Sequence, residues 1–215
     1  MITQRAWRQG GAPAGRSRVA PWRLVCLISL GVLIALALAA SATGALPGDP
    51  FLLRLFGAKD TGFSTDLARW VNRGGRAEVL VPGMALLFWL SPLARRRWWL
   101  WCGVLIGAPL LQNILKLFVG RSRPDGSALG FPSGHVTAAT AFAVVVIYVV
   151  SRERLGRGQR LALTALAVCL MLAVGWARMI RYAHWPSDVL GGFLLGTCCA
   201  AAAAWWECSR SGAGA

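Results

Sequence analysis

An all-α bundle, a six-transmembrane-helix bundle crossing a bilayer, is predicted by three observations. Of the 215 residues, 56% are hydrophobic and only 14% are charged. Mean hydropathy is +0.55, too apolar for an ordinary water-soluble domain. Six apolar runs approach the roughly 20 residues that span a membrane. The basic residues behind the net charge of +15 fall mainly between those runs, where they set orientation and meet anionic headgroups. That placement points to the lipid bilayer as a partner and argues against nucleic acid.

The runs cover 22–42, 77–94, 98–119, 135–151, 161–180 and 186–206. They form one six-span domain over 22–208, between a disordered basic cytoplasmic tail at 1–21 and a disordered C-terminal tail at 209–215. In the first run Ala40-Ser41-Ala42 resembles a signal-peptidase site. The run is long for a signal sequence, so an uncleaved anchor is expected. The second is short and interrupted by Pro82 and Gly83. The third carries Gln112 and Asn113, expected to hydrogen-bond across helices. Trp98, Trp99, Trp101, Trp205 and Trp206 flank spans as an interfacial belt does. Gly103/Gly107 and Gly192/Gly196 have the small-residue spacing of close helix contacts. The six cysteines show neither metal-ligand spacing with histidine nor a disulfide framework, and read as small buried hydrophobes. In the long connection 43–76, residues 63–71 fit an amphipathic helix lying on the outer surface.

With six spans, three arginine groups share one side, which should be cytoplasmic. They are Arg5 to Arg23 before the first run, Arg95-Arg96-Arg97, and Arg152 to Arg160. Three polar clusters then meet on the opposite side. Lys116 to Pro124 ends span three, Pro132-Ser133-Gly134-His135 opens span four, and Arg178 to Asp188 joins spans five and six. The only two histidines of the chain lie in these clusters.

The residue types suit phosphoryl transfer, where catalysis rests on positioning and on stabilising spread negative charge. Lys116, Arg123 and Arg178 supply cations, and arginine adds forked donors that match phosphate oxygens. A snorkelling Lys116 and a solvated loop holding Arg121 and Arg123 are plainer readings of the same residues. Pro132-Ser133 before an apolar run is a helix start with Ser133 placed to cap it. Gly134 lets an anion approach the free N–H groups there, and His135 is placed to donate a proton. Pro186 suits the first position of span six. Asp188, four residues after His184, can return to the imidazole and hold its tautomer, or simply favour the helix dipole.

Lysine, six residues and Arg-Pro, then Pro-Ser-Gly-His, then arginine, five residues, histidine, three residues and aspartate: this order resembles the three-part signature of the type-2 phosphatidic acid phosphatase superfamily. The resemblance runs from Lys116 to Asp188. It implies a helical-bundle phosphatase needing no metal or other cofactor. It also implies that His184 attacks phosphorus to give a phosphohistidine, that Asp188 orients it, and that His135 protonates the leaving group. Lys116, Arg123, Ser133, Gly134 and Arg178 would hold the phosphate oxygens. Two departures are visible. Ala177 stands where the family usually has serine, and the gap from Pro124 to Pro132 is short, which argues against a large lid.

The function expected is hydrolysis of a phosphate monoester or diphosphate of a membrane lipid, such as undecaprenyl diphosphate, phosphatidate, phosphatidylglycerophosphate or a lipid A phosphate. The alanine-, arginine- and glycine-rich usage suits a bacterium, so the expected location is the inner membrane with the site facing the periplasm. Lipid phosphotransfer would use the same residues. A vanadate-dependent haloperoxidase would share the pattern in a soluble setting that conflicts with these spans. A non-enzymatic protein binding anionic lipid would explain the basic loops but not the two histidines inside phosphatase motifs.

Overall fold

A computed structural model describes residues 16–57 and 62–211. The tails expected at 1–21 and 209–215 therefore lie outside the described residues up to residue 15 and from residue 212. The helices are α1 Arg16–Thr43, α2 Asp49–Gly57, α3 Gly62–Asn72, α4 Ala77–Leu90, α5 Pro92–Arg96, α6 Trp98–Val119, α7 Gly134–Arg152, α8 Arg157–Ile180 and α9 Pro186–Ser211. A 3-10 turn at Arg73–Gly75 links α3 to α4, and no strand occurs among the described residues. Two expected borders move. Residues 16–21 belong to α1 and 209–211 to α9, because both helices run past their apolar stretches.

Among the described residues five helices are long and apolar enough to cross a membrane: α1, α6, α7, α8 and α9. The second expected run is different. Pro82 sits inside α4 without ending it. The break comes instead at Ser91-Pro92, because a residue before proline is driven out of the helical region and Ser91 is extended. The 14 residues of α4 rise about 21 Å, less than the ~30 Å hydrocarbon core. Yet α4 keeps pace with α7 along the bundle. Gly75, just before it, presses on the His135 backbone, Gly83 faces the Phe142 ring, and the Ser91 hydroxyl donates to the Glu153 carboxylate. The short helix thus starts at the end of the bundle that holds both histidine clusters and finishes at the other end, where Arg97 pairs with Glu207 at 3.0 Å.

α7 is the central helix, buried between α8 and α9, while α1 packs along α9. Small residues permit the close α7–α9 contact. A Cβ on Gly196 would lie 2.6 Å from the Thr137 carbonyl oxygen and 2.8 Å from the Ala141 nitrogen. Backbone cannot yield as a side-chain tip can. Gly196→Ala is therefore expected to destabilise the bundle by about 1–3 kcal/mol, read as a lower unfolding temperature in detergent. A Cβ on Gly103 or Gly107 would meet nothing within 4 Å among the described residues, so that pair makes no close contact there.

Two expectations about side chains change. Trp101 is not in an interfacial belt; it is buried against Tyr148, ring centroids 5.1 Å apart, because it occupies the inward face of α6. Cys169 is exposed on α8, whereas Cys26 and Cys208 are buried, and all six cysteines are free. Residues 40–42 lie within α1, with Ala40 buried beside Phe131 and Leu195. The amphipathic segment is α3, which exposes Phe63, Leu67 and Trp70 and buries Ala68 and Asn72. At the last turn of α6, Leu117 and Phe118 are 72% and 80% exposed.

Candidate active site

Four helix ends build the site. α6 stops at Gly120, whose left-handed backbone (φ 62°) closes the helix by donating its N–H to the Lys116 carbonyl at 2.9 Å. The chain then makes a compact loop. Gly130 N–H bonds the Arg121 carbonyl at 2.7 Å, Arg123 N–H bonds the Ser127 carbonyl at 2.8 Å, and the Lys116 ammonium donates to the Leu129 carbonyl at 2.8 Å. α7 begins at Gly134 and α9 at Pro186, and the Ser133 N–H bonds the Asp188 carbonyl at 3.0 Å. That single backbone bond ties the Pro-Ser-Gly-His segment to the His-x3-Asp segment.

His184 and Asp188 are both buried. The turn between α8 and α9 aims His184 Nδ1 at Asp188 Oδ2, 3.3 Å away, and the same oxygen accepts the Trp185 N–H at 3.0 Å. With Nδ1 donating, the lone pair is left on Nε2. Burial, the largest influence, pushes the His184 imidazole down to about 4, against the opposing hydrogen bond from Asp188. At neutral pH the ring is uncharged.

The predicted residues converge. Lys116 is within electrostatic reach of Arg123, Asp188 and Arg178; His135 of Arg178 and His184; and His184 of Arg178 and Lys116. Ser133 does not cap α7 as expected. Its hydroxyl bonds nothing and is buried. At the site, His135 Nε2, Arg121 Nε, Arg123 Nε and Arg178 Nε are likewise buried without a hydrogen-bond partner among the described residues. Unpaired buried donors are costly unless a ligand meets them. The Gly134 position adjoins Gln112, where a Cβ would lie 2.9 Å from the amide oxygen. Gln112 also reaches toward the Pro132 carbonyl at 3.5 Å, so its polar contact near the site goes to the segment that precedes α7 rather than to another helix. Among the described residues no three His, Cys, Asp or Glu side chains cluster as metal ligands would.

Several site residues carry no sequence motif. Arg121, fully buried rather than solvated, donates Nη1 to Asp188 Oδ1 at 3.0 Å and to Ser187 Oγ at 2.7 Å. Its Nη2 pairs with Asp49. Asn72 Oδ1 accepts from Arg178 Nη1 at 3.0 Å. Asp49 and Asn72 both come from the 43–76 connection. The one local signal for Asp49 was its place before Pro50 at a helix start. Nothing local marked Asn72.

Residues 126–210 match the PAP2 superfamily. Over 94 residues, 40% of this chain, the sequence is 33% identical to phosphatidylglycerophosphatase B of Bacillus subtilis, spanning 46% of that protein. Over 103 residues, again 40% of this chain, it is 35% identical to a lipid A 1-phosphatase of Rhizobium etli, spanning 40% of it. The chain thus matches less than half the length of either relative. The crystal structure of a transmembrane PAP2-type phosphatidylglycerolphosphate phosphatase from Bacillus subtilis has the same fold, with a TM-score of 0.74 at 21% identity, covering 85% of this chain and 95% of that one. The PAP2 superfamily match thus takes in two of the three ordered motifs, Pro132 to His135 and Arg178 to Asp188, and the helical architecture is that of a PAP2-type phosphatase structure.

Proposed function

We propose that the chain is an integral-membrane lipid phosphatase that hydrolyses a phosphate monoester or diphosphate of a membrane lipid through a phosphohistidine, without a metal. The observation that carries this reading is the buried set of unpartnered groups, Ser133 Oγ, His135 Nε2, Arg123 Nε and Arg178 Nε, gathered around an imidazole that Asp188 orients. Together with the first N–H groups of α7, at Gly134, they suit the oxygens of a phosphate. Lys116 adds charge at the rim of the same pocket.

In the first step the Nε2 lone pair of His184 attacks phosphorus, and the bond from phosphorus to the lipid oxygen breaks. His135 gives its proton to that oxygen. In the second step His135 takes a proton from water as its oxygen attacks phosphorus. The P–N bond breaks, leaving inorganic phosphate and a free His184. The arginines and Ser133 hold the equatorial oxygens through both steps.

The relatives named above, a phosphatidylglycerophosphatase and a lipid A 1-phosphatase, support a lipid headgroup as substrate class. Arginine-rich turns at 95–97 and 152–160, at the other end of the bundle, support a site on the outer face of a bacterial inner membrane. The test is release of inorganic phosphate by the detergent-purified chain, in EDTA, from a panel of phosphatidate, phosphatidylglycerophosphate, undecaprenyl diphosphate and lipid A. Turnover of at least one is expected; none turned over would sink the reading. Analysis of the phosphorylated products separates water from an acceptor alcohol.

Ser133→Ala should lower kcat/KM by about tenfold to a hundredfold, the worth of one hydrogen bond to a charged group. It should leave the unfolding temperature unchanged, since the hydroxyl has no hydrogen-bond partner among the described residues. An unchanged kcat/KM would remove Ser133 from the phosphate site.

A further inference from the structure

We infer that Asp49, the first residue of α2, is a positioning residue for the His184–Asp188 pair, acting through Arg121 and Ser187. This rests on the proposed reading of that pair as nucleophile and orienting acid. Asp49 is buried, and each of its oxygens is used. Oδ1 accepts the Ser187 N–H at 2.9 Å. Oδ2 accepts the Ser187 hydroxyl at 2.6 Å, the Leu46 N–H at 2.9 Å and the Arg121 guanidinium. Arg121 then turns its other terminal nitrogen to Asp188 Oδ1, at 3.0 Å, leaving Oδ2 for His184 and Trp185.

The chemistry of the fork explains the arrangement. A guanidinium facing one carboxylate tends to take both its oxygens in a bidentate pair. Here Asp49 holds one side of the fork, so Arg121 can meet only Oδ1 of Asp188. Oδ2 stays available to the Nδ1–H of His184, and Nε2 stays unprotonated. Asp49 also fixes Ser187, the residue before Asp188, at both its backbone nitrogen and its hydroxyl. Without Asp49, Arg121 is free to rotate onto both oxygens of Asp188 and compete with the imidazole. The Asp49 carboxylate hydrogen-bonds to Leu46, Arg121 and Ser187 and not to the phosphate-holding groups among the described residues, so the consequence should be confined to the orientation of His184.

The chain has two histidines, which makes the test direct. With 15N-labelled histidine in detergent micelles, ring-nitrogen shifts report which nitrogen carries the proton, and a His135→Asn sample assigns the two rings. Wild-type His184 should show Nδ1 protonated and Nε2 free. In Asp49→Asn a mixture of tautomers is expected. For release of phosphate from dioctanoyl phosphatidate, kcat should fall about tenfold to a hundredfold with KM within about twofold. In an Asp188→Asn background the same change at Asp49 should cost less than about twofold more, because residues acting as one unit are not additive. A folded Asp49→Asn protein with a pure Nδ1-protonated His184 overturns the inference, as does a full multiplicative loss in the Asp188→Asn background. If wild type releases no phosphate from any lipid, the phosphatase reading fails while the tautomer measurement still decides the role of Asp49. If Asp49→Asn does not fold, Asp49→Ser takes its place: it removes the carboxylate that holds the Arg121 guanidinium while keeping an oxygen that can accept a backbone N–H, and an unchanged tautomer then overturns the inference.

Discussion

His184→Ala is expected to reduce phosphate release by about 10⁴-fold or more, the scale of losing a covalent nucleophile, while the protein stays folded. The fold should survive because Asp188 keeps the Trp185 N–H and Arg121 as partners when the imidazole is gone. A rapid-quench experiment with 32P-labelled lipid adds a second readout: wild type should accumulate acid-labile label on protein, and the variant none. Turnover within tenfold of wild type would exclude His184 as nucleophile. The pH dependence follows with its sign. As the proposed nucleophile His184 would react as the neutral ring, and burial lowers this histidine from its ordinary 6.5 to about 4. Phosphate release limited by His184 should therefore hold from neutrality to near pH 5 and fall about tenfold per unit below 4. Stability runs the same way. Between about 4 and 6.5 the unfolded chain binds the proton and the folded one does not. The contribution from this group is thus complete above 6.5 and shrinks as pH drops through that window.

Arg121→Met is the change with the largest expected effect on the fold. The side chain is fully buried between Asp49 and Asp188. An apolar residue of similar length would leave two buried carboxylates without their counter-charge. Breaking a buried pair by removing one partner costs about 3–5 kcal/mol, enough to lower the unfolding temperature in detergent by many degrees. Activity should vanish with it, since Asp188 loses one of its anchors. Arg121→Lys keeps the charge but has no fork to meet both acids, and should lie between wild type and Arg121→Met. Adding Asp49→Asn to Arg121→Met should restore part of the lost stability, because one of the uncompensated charges is then gone. Arg121→Met unfolding within a degree of wild type would show that the buried charges are not coupled.

The motif residues were legible because their spacing is local. His184 lies two residues before α9 and Asp188 in its first turn, and Ser133 and His135 share the start of α7. Four of the helix ends could be brought together by counting spans. What escaped was long-range. Asp49 and Arg121 are 72 residues apart, and Asn72 and Arg178 are 106 apart; no periodicity links such pairs. Arg121 looked like one more loop cation, and its buried ion pairs with Asp49 and Asp188 are what set it apart. The 43–76 connection read as an outer loop carrying an amphipathic helix, but it supplies Asp49, Asn72 and Gly75 to the site. α4 was misjudged for a different reason. Its proline is tolerated inside the helix, and the apolar run is cut by Pro92 instead.

Leu117 and Phe118 project outward at the turn of α6 that carries Lys116. Pulling an acyl chain into water costs about 0.8 kcal/mol for every methylene exposed. A lipid whose phosphate has reached Lys116 can leave its tails against those two side chains and the surrounding hydrocarbon, so that cost never arises. Headgroup capture then requires only lateral diffusion in the leaflet and a small vertical displacement, and turnover should respond to the surface mole fraction of the lipid rather than to its bulk concentration.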